Sequence, residues 1–430
     1  MRSLLSTFLL LILPIPALAE EFKIIVTGGK TDQSNVVCTV ALPETETAKV
    51  EALRIPDSKV VIWAQTIGTG VLEKQDKTRY VVFVLPTLKA GETVSLIPTP
   101  IPDESKSAKQ FSFVDEKGKC TDLLFGNRPV LRYINAPHDP SNHFLTFKPF
   151  HHVFDPAEGK TLLTSGAHAK PTEGLYPHHR GLFFGFNKIS YGAKQTADIW
   201  HGTDNVFSQH EKMLGTETGR VLGRQRAEVT WHGKDASTFA TENRELTVYA
   251  LPGGTMIDWS TLLTTNGETV KLDGDPQHAG FHFRAAQEVA EKNKTETDLA
   301  KKEGRKPKPA DTYYLRPDGK GNLGETRNWD TKGADQRAVN LPWDAMSFVV
   351  GGKRYSVLRI NHPGNPRETR GSERDYGRFG DYFEYMLTTD HPLRLRYRVW
   401  LQEGEMTVDQ CNALAGDFVN PAVTKIVAVK

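Results

Sequence analysis

From residue 20 onward the chain is written in short β-type runs punctuated by glycine and proline, and this rhythm limits the fold more than any other feature. Early runs fall at residues 23–26, 60–64, 80–85 and 93–97, separated by turn-rich stretches such as Thr27-Gly28-Gly29 and Pro98-Thr99-Pro100. Turn-bounded runs of this length read as strands. They continue at 130–134, 181–187, 227–232, 245–250, 257–263, 280–284, 355–360 and 393–401. Few helical patterns interrupt them. The pattern predicts an all-β chain: a large antiparallel β-sandwich preceded by a smaller one.

The chain has 430 residues, more than the ~100–200 typical of one domain. All fourteen histidines lie beyond Gly126, so we divide it there. Residues 1–19 read as a cleavable export signal: Arg2, an apolar run at 4–13, then Ala17-Leu18-Ala19 before Glu20. That run is shorter than the ~20 residues needed to span a bilayer, and no later run is longer. The expected destination is the periplasm or the cell exterior, without membrane insertion. Residues 20–126 form the small sandwich, structural or for attachment. Residues 127–430 form the main one, with a charged insertion at 286–311. Its Ala-, Glu- and Lys-rich part offers only Val289 and Leu299 as sizeable apolar residues, so it reads as a solvated helix and loop. Lys plus Arg (54) balances Asp plus Glu (52), which leaves no basic field for nucleic acid. Cys38, Cys120 and Cys411 allow one bridge, Cys38–Cys120, or three buried free thiols.

Chemistry concentrates in Tyr176-Pro177-His178-His179-Arg180-Gly181 and in Asp198-Ile199-Trp200-His201. Imidazoles suit proton transfer near neutral pH, Arg180 offers a planar fork for oxygen-rich ligands, and Trp200 can stack on a sugar ring. A second signal is the strand around 279–284, where alternation sets Phe281 and Phe283 against His282 and Arg284. His278 falls at its rim. Arg394, Arg396 and Arg398 share one strand face and read as cross-strand ion-pair partners. The glycine-bounded loop 371–380 presents Arg374 and Tyr376, and His151-His152 is a further pair. His178, His179 and His201 with Asp198 could hold a metal, but no diagnostic ligand spacing occurs and no metal ligand or cofactor is assigned. Nucleophile-elbow, phosphate-loop and dinucleotide motifs are absent.

Residues 128–133 (Arg-Pro-Val-Leu-Arg-Tyr), the run from Pro177 to Asn187, Asp198-Ile-Trp-His and Arg374-Asp-Tyr-Gly together resemble the secreted bacterial family labelled methane oxygenase PmoA, over roughly 127–421. The resemblance implies site residues at these positions without assigned roles. A particulate methane monooxygenase subunit is built from membrane-spanning helices, and this sequence has none after its signal. The strand pattern is similar in architecture to the galactose-mutarotase supersandwich, where a broad concave sheet holds a sugar. The expected function is therefore carbohydrate-active, with a sugar or glycan as partner, and mutarotase-, epimerase- or lyase-like. His179, His201 and His282 would transfer protons and Asp198 would orient one imidazole. His178, Arg180, Trp200, Arg284, Arg374 and Tyr376 would position the substrate. A non-catalytic binding protein and a metal-dependent oxidoreductase are the alternatives.

Overall fold

Apolar side chains at alternate positions give each long strand one face that must leave water, and the chain satisfies these faces by stacking sheets. The computed structural model describes residues 22–46, 48–102, 107–168, 170, 173–329 and 334–429. The export segment expected at 1–19 lies outside the described residues.

The main body is a sandwich of two antiparallel sheets. One has nine strands, in spatial order Phe207–Glu217, Leu222–His232, Thr238–Tyr249, Thr255–Thr265, Leu393–Glu403, Lys353–Asn361, Trp343–Val350, Tyr313–Arg316 and Gly319–Lys320. The other has eight: Arg370–Arg374, Arg378–Tyr382, Ala279–Arg284, Leu182–Phe186, Phe150–Val153, Arg128–Ile134, Cys120–Phe125 and Phe111–Glu116. Between them Phe184 meets Trp231, Phe281 meets Trp259 and Tyr397, and Phe283 meets Phe348. Each such side chain contributes roughly 1.5–3 kcal/mol by burial. A small four-stranded sheet, which includes Lys188–Tyr191 and Val270–Asp273, flanks the sandwich.

A separate seven-stranded sheet encloses its own core of Ile24, Val26, Cys38, Leu53, Phe83 and Leu96. Its edge strand comes from the far end of the chain: Val423–Ala428 pairs with Phe22–Thr27, from Phe22 with Ala428 to Thr27 with Val423. Conversely, Phe111–Glu116 and Cys120–Phe125, which precede residue 126, are the last two strands at one end of the eight-stranded sheet. They carry Phe111 and Leu123 into the main core. Pairing follows apolar faces, whereas the division at 126 followed the distribution of histidines.

The outer face of the nine-stranded sheet is covered in part. Helix Val408–Val419, started by a Thr407/Gln410 capping box, buries Cys411 and Ala415 against Trp343, Leu358 and Trp400. The N-terminal unit packs Ile67 and Val82 on Val221 and Leu222 at its other end. Arg224 donates to the Gly68 carbonyl, Arg226 to that of Thr69, and the Val71 N–H to Glu245. Toward Arg394 and Arg396 the same face stays exposed. Of the arginine row, Arg398 makes the expected cross-strand pair, with Asp258 at 2.6 Å, whereas Arg394 donates instead to the Leu72 carbonyl at 2.9 Å and Arg396 is exposed. In the charged insertion, helix Gln287–Lys302 buries only Val289, Ala290 and Ala300. All three cysteines are free and buried.

Candidate functional site

The eight-stranded sheet turns its second face away from the core. There Phe183 pairs with His282, which pairs in turn with Gly380, and Arg284 with Arg378. Three turns lie over this face, and each delivers a histidine. In the first, His179 N donates to the Tyr176 carbonyl at 3.0 Å, with Tyr176 itself at positive φ. In the second, Gly202 N donates to the Asp198 carbonyl at 3.0 Å. The Asp198 carboxylate there accepts from both His201 N and His201 Nδ1 at 2.8 Å. In the third, His278 N donates to the Asp275 carbonyl at 3.0 Å and His278 Nδ1 to the Asp275 carboxylate at 2.9 Å. The last two are the same local device, an Asp that caps its own turn and orients the histidine three residues on.

His178 sits at the centre. Its ring centroid is 4.1 Å from His179, 4.5 Å from His201 and 5.7 Å from His278, and His201 lies 4.7 Å from His278. The ring nitrogens of His178, His179 and His278 converge within 4.8 Å of one another. His179 is 1% exposed, and neither of its nitrogens has a hydrogen-bond partner, nor has His178 Nε2. A buried polar group left unpaired costs about 1–3 kcal/mol. Burial, reinforced by His201 and Lys148, pushes the His178 imidazole down to about 2. Burial also holds His179 and His282 well below the usual histidine range. These three are neutral rings at neutral pH. At the rim, Tyr176, 43% exposed, stacks on Tyr376 at 3.9 Å.

The turns are held from behind. Lys148 Nζ, buried among Phe147, Phe183 and Trp200, donates to the Trp200 carbonyl at 2.7 Å. His143 Nε2 donates to the Gly202 carbonyl at 2.6 Å. Burial pushes the Lys148 amine well below its usual range.

Of the residues read from sequence, His178, His179, His201, Asp198 and Tyr376 come together. Several others serve the scaffold. Trp200 is fully buried, edge-on to His282 at 4.8 Å, so it has no face for a sugar. His282 Nε2 donates to the Ala279 carbonyl at 2.8 Å and Nδ1 accepts from Arg378 at 3.2 Å, which leaves no nitrogen for the proton transfer expected of it. Arg180 is fully buried and donates to the carbonyls of Phe144, Leu145 and Pro177, anchoring the first turn instead of binding a ligand. Arg284 donates to the Tyr376 carbonyl at 2.6 Å and to Gln287 at 3.2 Å, tying the 376 loop to the sheet. Arg374 donates to Asn328 Oδ1 and to the Glu373 carbonyl. His151 and His152 lie apart from the cluster, in contact with Gln225 and Thr164. From sequence alone His278 falls at a rim and Asp275 carries no role. The repeated spacing Asp198-x-x-His201 and Asp275-x-x-His278 was the signal that links them.

Fold and site define an antiparallel double-sheet sandwich that carries a histidine cluster on the outer face of one sheet. The chain belongs to the family of unknown function DUF6807, whose model matches residues 120–416. No curated protein matches the chain. Among solved structures it is similar to a glycosyl hydrolase family 38 protein from Enterococcus faecalis, at 7% identity and a TM-score of 0.42, covering 95% of this chain and 47% of that one. It is also similar to an alpha-mannosidase from Enterococcus faecalis V583, at 9% identity and a TM-score of 0.42, covering 95% and 46%. The chain spans about half the length of these two proteins.

Proposed function

We propose that this is an exported carbohydrate-active protein whose working site is the histidine cluster, with His201 as its proton-transfer group. The observation that carries the reading is the His201–Asp198 pair, joined at 2.8 Å and facing His178 and His278 across 4.5 and 4.7 Å. The carboxylate accepts the hydrogen bond from Nδ1–H, fixes the tautomer with Nε2 as acceptor, and stabilises the imidazolium formed when a proton arrives. Such a base can take a proton from a sugar hydroxyl, or from a carbon beside a carbonyl, as isomerase and lyase chemistry requires. The Tyr176–Tyr376 stack supplies an aromatic platform at the rim, suited to the apolar face of a sugar.

The test is turnover of reducing sugars and glycosides followed by NMR. His201→Ala is expected to lower kcat/KM about 10²–10⁴-fold with unchanged melting, and Asp198→Asn to fall between it and the parent. Undiminished turnover in His201→Ala would remove that residue from the mechanism. The exposure of Tyr176 also favours a second reading, a non-catalytic sugar-binding protein. Affinity lost in Tyr376→Ala and kept in His201→Ala would favour that reading.

A further inference from the structure

We infer that His178, His179 and His278 form a metal site for one divalent ion of the zinc class, with its open coordination position turned toward His201. The inference rests on the cluster being the working site and names what its three converging imidazoles hold.

Three observations carry it. The first is distance. The candidate ligand nitrogens lie within 4.8 Å of one another. Zinc–nitrogen bonds of about 2.0–2.1 Å in a tetrahedron place ligand nitrogens about 3.4 Å apart, so the rings need to draw in by no more than about 1.4 Å. The second is the state of the nitrogens. His179 is sealed from solvent, yet neither ring nitrogen has a partner, and His178 Nε2 is equally bare. A histidine kept only for packing is normally satisfied. In this chain His282 shows that condition, with both nitrogens hydrogen-bonded.

The third observation is the support behind the ligand from the neighbouring strand. His278 uses Nδ1 on the Asp275 carboxylate at 2.9 Å, and Asn187 Nδ2 holds that carboxylate at 2.9 Å. A carboxylate behind an imidazole is the usual outer support of a metal-bound histidine, because it fixes the tautomer that turns Nε2 toward the ion. The donor set then decides the ion. Three imidazoles without an oxygen ligand suit zinc and its first-row neighbours, whereas calcium and magnesium require oxygen cages. Three protein ligands also leave the fourth position of a tetrahedral ion free. His201, close to both His178 and His278 and already committed to Asp198 through Nδ1, stands beside that position.

The experiment is metal analysis of full-length protein purified without a polyhistidine tag, followed by titration of the stripped protein with Zn²⁺ and Co²⁺ alone. One equivalent is expected, with the visible absorption of low-symmetry cobalt. His278→Ala, a partly exposed position whose loss spares the core, should abolish stoichiometric binding. Asp275→Asn should weaken it about 10–100-fold, and His201→Ala should retain it. Failure of folded parent protein to bind either ion, or equal binding by His278→Ala, overturns the inference. No stoichiometric metal, with turnover still lost in His201→Ala, would overturn the metal site and leave the proposed function standing. Stoichiometric metal without sugar turnover would do the reverse.

Discussion

A methyl group at position 181 would sit 2.1 Å from the His151 carbonyl oxygen, on a backbone at φ +51°. Gly181 closes the turn that carries His178 and His179 and opens the strand Leu182–Phe186, so its backbone passes directly against the neighbouring strand. The left-handed conformation costs an L-residue about 1–2 kcal/mol, and the clash is with backbone that cannot rotate away. Gly181→Ala should therefore destabilise the main sandwich by about 3 kcal/mol or more. Gly253→Ala is the control: φ is +84° there and nothing lies within 4 Å of the added carbon, so about 1 kcal/mol is expected. Denaturant unfolding of the two variants checks the difference, and equal losses would show that strain without contact accounts for both. At this scale the sequence was partly legible. Pro177-His178-His179 and Asp198-x-x-His201 announced polar chemistry by their composition. Burial was not legible, because nothing local distinguishes an Arg180 that grips three carbonyls from one that grips a ligand.

Single strands carried their own orientation in the sequence. Alternation in Ala279–Arg284 put Phe281 and Phe283 into the core and His282 with Arg284 beneath the turns. The charged composition of the insertion foretold a helix with a narrow buried face, and Gln287–Lys302 is one. Partners were not readable, since an alternating strand specifies a face and not a neighbour. Val423–Ala428 is the clearest instance. It returns from the far end of the chain to pair with Phe22–Thr27, and its Ile426 packs on the N-terminal core. Deleting residues 422–430 should leave Phe22–Thr27 as an unprotected edge. The N-terminal unit should then melt earlier and be cut sooner in limited proteolysis, while the histidine cluster keeps its properties. A truncated chain whose N-terminal unit melts with the parent would show that the strand is dispensable. The Thr407/Gln410 capping box was in the sequence, so the helix it starts could have been read there.

For the molecule as a whole, both faces of the eight-stranded sheet hold buried imidazoles that must stay neutral, which sets how its stability answers to pH. His151 lies fully buried, stacked on Tyr133 at 4.4 Å and held by Gln225, with Trp259, His210 and the Arg244–Glu242 ion pair around it. Burial holds it well below the usual histidine range, and Arg244 adds to the effect. His152, against Phe150 and Thr164 and near the Arg132–Asp122 pair, is pushed down to about 4, again chiefly by burial. In the unfolded chain both would titrate near 6.5. Between about pH 4 and 6.5 the unfolded state therefore binds more protons than the folded one, so stability rises with pH across that window and is complete above it. Falling to pH 5 removes about 2 kcal/mol through His152 alone, and His151 acts in the same sense, as do the buried rings of His178, His179 and His282. Burial raises the Glu373 carboxyl against its Arg316 partner; that shift acts in the opposite sense and offsets part of the loss. The unfolding free energy should accordingly be lower at pH 5 than at pH 7.5 by a few kcal/mol, a large fraction of the ~5–15 kcal/mol a folded protein holds. His152→Gln should flatten the dependence. Denaturant titrations at the two pH values decide it: equal stabilities would mean that these rings accept protons in place, and that the interior around the Arg244–Glu242 pair is wetter than its burial implies.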